Sequence, residues 1–161
     1  MKKITVLIIC CWMLIGCSAS NDSFIDAADY VIGSGNVLPD YLQTEGENIV
    51  LKATKQSQYE AYWDDMKIEN ERKDIDFTTY DTYFIVIFGS SSCPNVISHL
   101  QFEEDALRLK LKSTGGDCTT NLAPTSYVLQ VEKNTSQEIK KVIFEEGRKE
   151  LEISCCTSHY E

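Results

Sequence analysis

Residues 83–95 read YFIVIFGSSSCPN, a dense apolar run that stops at a glycine, three serines, a cysteine and a proline. A strand end of this kind is where a nucleophile would sit, and Ser92 and Cys93 are the residues that could act as one. Such chemistry needs a particular setting. The G-x-S-x-G elbow has a second glycine and runs into a helix, whereas Gly89-Ser90-Ser91-Ser92-Cys93 lacks that glycine and continues through Pro94 into a further strand pattern. A serine or thiol nucleophile also needs a base. The only histidines are His99, in the middle of a strand pattern, and His159, close to the end of the chain. The expectation is therefore no catalytic residue, with the three serines bonding backbone groups at a strand end. An exported hydrolase or thiol enzyme acting through Ser92 or Cys93 is the alternative.

The other reading of Cys93 is a disulfide. The chain has seven cysteines: Cys10, Cys11, Cys17, Cys93, Cys118, Cys155 and Cys156. Cys93 and Cys118 each adjoin a glycine-containing turn. Between them, one strand pattern (Val96 to Phe102) leads away and a second (Ala106 to Lys112) returns, so the two cysteines come back to the same end of a hairpin. On the chain-entropy model, closing that loop contributes roughly 3.5 kcal/mol. Cys155 and Cys156 are adjacent and remain unassigned thiols, free, paired with another chain or bridged to each other. Metal and cofactor sites are not expected: there is no C-x-x-C, no histidine pair at helical spacing and no calcium loop.

The beginning of the chain carries an address. Lys2 and Lys3 precede the uncharged run ITVLIICCWMLIG, which is too short for a stable membrane span and has the form of a signal segment. Leu14-Ile15-Gly16-Cys17 closes it and resembles the lipobox of bacterial lipoproteins. That resemblance implies cleavage before Cys17 and acylation of its thiol, with an uncleaved anchor or a plain secretory signal as the alternatives. Two acyl chains are enough for stable anchoring. The division expected is a signal peptide over 1–16, an acidic tether over 17–44 and a globular domain over 45–161. Between Cys17 and Leu51 there are six acids and no Lys or Arg. Gly33, Gly35 and Pro39 argue against a long regular element there, although DYVIGSGNVLPDYL is apolar enough to dock on the domain, with a strand as one form it could take.

The whole chain has a formal net charge of −10, and loss of Lys2 and Lys3 would make it −12. Such a surface is unsuited to nucleic acid and to adhesion on anionic lipid headgroups. The expected location is the extracytoplasmic side of a cell membrane, held through the lipid anchor, with a protein as partner.

The elements that would position these residues follow from periodicity. Ile49 and Leu51 suit a short strand. Ser57 and Glu60 fit a capping box, and Tyr59, Tyr62, Trp63 and Met66 recur on one helical face, read as core packing. Tyr83 to Phe88 has the composition of a strand buried on both faces. Leu107, Leu109 and Leu111 alternate with basic residues, and Tyr127, Leu129 and Val131 form another strand after a loop ended by Pro124. Asn134-Thr135-Ser136 reads as a loop, and Ile139 to Phe144 with Leu151 to Ile153 as a hairpin. The fold class is α+β: a mainly antiparallel sheet, as a small sandwich or open barrel, with one packed helix.

Over residues 48–132, the helix QSQYEAYWDDM, then DIDF, a strand ending in Gly89, a long hairpin and PTSYVLQV resemble the C-terminal domain of the protease-complex subunit PrcB family. The segments GSSSCP, GGDCT and PTSYVL also resemble small lipoproteins of Gram-positive bacteria. The first resemblance implies no catalytic residues and a non-enzymatic role, as a binding or accessory module for a secreted or envelope protease.

Overall fold

The computed structural model describes residues 23–39, 46–89, 92–120, 123–145 and 149–155. The expected signal peptide (1–16), Cys17, Ser90, Ser91, Cys156 and His159 lie outside them. Two five-stranded sheets pack face to face, and one α-helix covers the outer face of the second. The α+β sandwich is thus the observed architecture; the sheets do not close into a barrel.

The first sheet has the order β1 (Ile25–Asp26), β5 (Asn95–Phe102), β6 (Ala106–Ser113), β8 (Lys141–Phe144), β9 (Lys149–Glu152). The second has the order β10 (Ser154–Cys155), β3 (Ile49–Ala53), β4 (Tyr80–Gly89), β7 (Ala123–Glu132), β2 (Val31–Gly35). Most neighbours are antiparallel, but β6 with β8 and β10 with β3 are parallel. Both lateral edges are bridged by chain. On one side a single 3-10 turn, Ala27–Asp29, carries the chain from β1 to β2; on the other, Ile153 alone separates β9 from β10.

Strand β4 explains the layering. Tyr83, Ile85 and Ile87 face the space between the sheets, against Leu107, Leu109, Leu129, Val142 and Phe144. Phe84 and Val86 face the other way and meet the helix α1 (Gln56–Asp65). Successive side chains of a strand point to opposite faces, so a strand with apolar layers on both sides must be apolar throughout. The stripe of Tyr59, Tyr62, Trp63 and Met66 is buried on that outer face, with Tyr62 edge-on to Phe84 at 5.4 Å between ring centroids.

The helix ends differ from the capping box expected. The N-cap is Lys55, which offers no side-chain acceptor, and Ser57 lies inside the first turn. Gln58 does the reaching back instead, its Oε1 accepting from the Thr54 amide at 3.0 Å. At the other end Lys67 takes a left-handed φ of 46°. Its amide donates to the Asp64 carbonyl and the Ile68 amide to the Trp63 carbonyl, the paired bonds of a Schellman ending. Ile68 then packs into the same cluster as Trp63. The IDF segment follows. Ile75 and Phe77 pack against this cluster, while the Asp76 carboxylate accepts from the Thr78 amide and from the Thr78 and Thr79 hydroxyls. Those bonds hold the Asp76 carboxyl below the usual carboxylate range.

The boundary expected at residue 45 moves towards the N-terminus. Residues 25–35 are part of the sandwich: β1 pairs with β5, β2 pairs with β7, and Ala27 and Ile32 are buried. The glycines that argued against a regular element have a packing cause. A Cβ on Gly33 would lie 2.7 Å from Trp63 Cη2 and 2.8 Å from Ile68 Cγ2, so only glycine lets the end of the helix settle on this strand. The outer side of β2 is covered as well: the Glu69 amide donates to Ser34 O, and the Ser34 amide to Asn70 Oδ1.

Two further expectations change. Pro124 is inside β7 rather than before it, beyond the last β2 partner at Ser126, where β7 has a ladder on one side only. Asn134-Thr135-Ser136 belongs to a short helix, α2 (Lys133–Glu138), not a loop.

Candidate functional site

The sandwich has two ends, and chain direction assigns residues to them. Strands β4 and β6 run towards one end, and β5 and β7 start from it. There Cys93 and Cys118 are joined in a disulfide with 5.3 Å between their Cα atoms. The pairing expected from the hairpin is the one formed. Around it the two loops exchange hydrogen bonds: the Ser92 amide donates to Thr119 O, and the Thr119 amide donates to Ser92 Oγ, both at 2.9 Å. The Thr114 amide and hydroxyl both donate to Pro94 O. Gly115 and Gly116, with φ of 70° and 117°, make the left-handed bend that presents Cys118.

This geometry gives Ser92 a role in holding the turn. Its hydroxyl oxygen accepts from an amide across the staple. Among the described residues, no hydrogen bond or ion pair links Ser92 or Cys93 to a basic side chain. His99 lies exposed on β5, with Nδ1 at 3.1 Å from Ser98 Oγ. Tyr127 buttresses the same end, donating from its hydroxyl to Asn95 O at 2.9 Å, and burial pushes its phenol up to about 12. Cys155 lies on β10, its backbone opposite Lys52.

A second cluster was not read from the sequence. Lys52 of β3 and Asp81 of β4 both point into the space between the sheets, and the Lys52 Nζ lies 3.3 Å from Asp81 Oδ2. The Ser136 hydroxyl, from α2, donates to the same oxygen at 2.7 Å, and the Ser136 carbonyl accepts from Lys52 Nζ at 2.8 Å and from the Tyr83 hydroxyl at 3.2 Å. Lys133 Nζ stands 3.8 Å from Asp81 Oδ1 and also donates to Phe77 O. A serine beside a lysine invites a catalytic reading. Ser136, however, is fully buried and its proton is committed to a carboxylate, so the cluster acts as a bolt fixing α2 to the sheet. The signal was present in the pattern, since Val50 and Lys52 share one face of β3, and Asp81, Tyr83 and Ile85 one face of β4. Two opposite charges at inward positions on neighbouring strands mark a buried pair.

At the opposite end of the sandwich the surface is concave. A cleft of about 520 Å³ lies where the β1–β2 crossing passes the ends of β5 and β7 and the start of β4. Tyr30, Tyr80 and Phe102 contribute partly exposed rings, Tyr30 and Phe102 being tilted against each other at 5.5 Å. Asp29 and Glu132 supply exposed carboxylates, and Thr135 reaches in from α2. Among the described residues, none of the cleft's side-chain polar groups takes part in a hydrogen bond or ion pair. The volume falls in the range of small-molecule sites, roughly 300–1,000 Å³.

Fold and site define a disulfide-stapled, two-sheet α+β sandwich with an aromatic cleft at its unstapled end. No known protein family, curated protein or solved structure matches the chain. Among the described residues, no helix is long and apolar enough to cross a membrane, and no cluster of His, Cys, Asp or Glu could hold a metal ion.

Proposed function

We propose that the protein is a lipid-anchored binding or accessory module on the extracytoplasmic side of a cell membrane, engaging a protein partner. The observation that carries this reading is the Cys93–Cys118 disulfide. Cys118 sits on a loop exposed from residue 112 to residue 120, where a cytoplasmic thiol pool would reach it; a structural bond there belongs to an oxidising compartment. The basic start, the apolar run and Gly16-Cys17 supply the route and the anchor. The resemblance over residues 48–132 favours a secreted or envelope protease as the partner.

The position of β1 changes how the module is held. Only residues 18–22 separate Cys17 from the described fold. Their greatest extension leaves the sandwich within about 20 Å of the acylated residue, so the domain works close to the bilayer surface rather than on a long tether.

Changing Cys17 to Ser tests the anchor. The variant is expected to leave the detergent-extracted membrane fraction, either released into the medium or left unprocessed. Processing at the same site with unchanged membrane retention would overturn the reading. Affinity purification of the anchored chain from membranes then identifies the partner.

A further inference from the structure

We propose that the cleft at the unstapled end is a recognition site for an organic cation, an ammonium or guanidinium group. The proposal rests on the reading of this domain as a binding module and names the chemistry of its ligand.

Charge and ring geometry carry it. Three aromatic side chains, Tyr30, Tyr80 and Phe102, line one cleft with two carboxylates, Asp29 and Glu132, and no basic residue lines it among the described residues. The cation nearest in sequence, Lys133, is engaged elsewhere, donating to Phe77 O and facing Asp81 at 3.8 Å. Among the described residues, neither the Asp29 nor the Glu132 carboxylate is in an ion pair. Aromatic faces attract a cation through their quadrupole, and an ammonium or guanidinium group is the ligand class that both features favour together. A neutral apolar ligand would leave the carboxylates unused, and an anion would be repelled by them.

The site is also preorganised. Ile25 is fixed by its pairing with Leu100 of β5, and Tyr30 by the Gln130 amide, which donates to Tyr30 O at 2.9 Å. Thr135 is fixed because the neighbouring Ser136 is bolted to Asp81. The residues that carry the rings are thus positioned by structure that does not depend on the ligand. The same chemistry could come from a free ammonium compound or from a lysine or arginine side chain of a partner protein.

The test uses the full chain in non-ionic detergent, with tyrosine ring signals followed by NMR. Choline is titrated beside its neutral isostere 3,3-dimethylbutan-1-ol and a capped Gly-Lys-Gly peptide. At least one cation should shift the Tyr30 and Tyr80 rings and bind more tightly than the neutral isostere. The double variant Asp29→Asn with Glu132→Gln should weaken the cation by about tenfold while leaving the fold intact, since both groups are exposed and bear no partner. Tighter binding of the peptide than of choline assigns the site to a partner's side chain; the reverse assigns it to a free ammonium ligand. Equal binding of choline and its neutral isostere, or an unchanged affinity in the double variant, overturns the proposal. Capture of a partner from membranes by the native chain, with neither choline nor the peptide shifting the Tyr30 and Tyr80 rings, would sink the cleft proposal and leave the binding-module reading standing.

Discussion

The two ends of the sandwich are closed by different physics. At the stapled end, residues 112–120 are exposed throughout, so hydrophobic burial contributes little to that loop, and one covalent bond with two reciprocal Ser92–Thr119 hydrogen bonds fixes it. At the cleft end no disulfide is present among the described residues. The β1–β2 crossing and α2 are held by Ala27 in the core and by the Lys52–Asp81–Ser136 bolt. A staple acts mainly by restricting the unfolded chain, whereas a buried polar bolt stabilises only when every member is present. The stapled end can therefore lose contacts and stay in place. The cleft end needs all its partners but leaves its surface groups unsatisfied and open to a ligand.

The largest expected effect comes from breaking the bolt. Asp81→Ala would leave the Lys52 ammonium, 8% exposed, without its countercharge, and destabilisation of about 3–5 kcal/mol is expected. Urea unfolding measures it. The double variant Lys52→Met with Asp81→Leu should recover most of the loss, because the penalty belongs to the unpaired charge rather than to the absent pair. A double variant no more stable than Asp81→Ala would show that the network holds the sandwich through geometry rather than charge balance. Amide exchange should rise first in α2.

Breaking the staple comes next. Cys118→Ser is expected to lower stability by about 2–5 kcal/mol. Its local signature should be opposite in place: residues 112–120 become the first site of limited proteolysis, while exchange in α2 is unchanged. Peptide mapping of the native chain without reduction should find one fragment joining Cys93 and Cys118. A freely alkylated Cys93 in the folded native chain would break the comparison at its covalent side.

Much of the stapled end was legible in the sequence, and little of the cleft end. The alternation of Leu107, Leu109 and Leu111, the continuous run in β4 and the hairpin between the cysteines are local patterns, and they fixed both strands and staple. The helical stripe was local too. Docking of DYVIGSGNVLPDYL as a strand was one of the readings open for β2, but nothing local selected it, because its glycines answer a contact between Gly33 and Trp63 and Ile68 that no short window on the chain contains. The parallel pairing of β6 with β8 depends on where α2 returns the chain, and α2 itself is a six-residue helix with no apolar stripe to betray it. The cleft is the extreme case. Its lining comes from the β1–β2 crossing, β4, β5, β7 and α2, each contributing residues that look like ordinary strand ends until the fold assembles them.

The smallest expected effect concerns how tightly each end is sealed against titration. Tyr127, at the stapled end, and Tyr59, under the helix, have phenols pushed from 10.0 up to about 12, in both cases chiefly by burial. A folded-state value above the unfolded one means the native state keeps its proton where the unfolded chain releases it. That contribution is fully present below pH 10 and is lost as the pH rises through about 12. Ultraviolet titration of the phenols should therefore resolve a late phase, and Tyr127→Phe should reduce it. The same substitution removes the bond to Asn95 O, at a cost of about 1 kcal/mol below pH 10, and makes stability fall less steeply between pH 10 and 12. If Tyr127→Phe left the steepness of that alkaline limb unchanged, the stapled end would be open to hydroxide despite its disulfide, and the contrast between a sealed end and an open one would have to be drawn elsewhere.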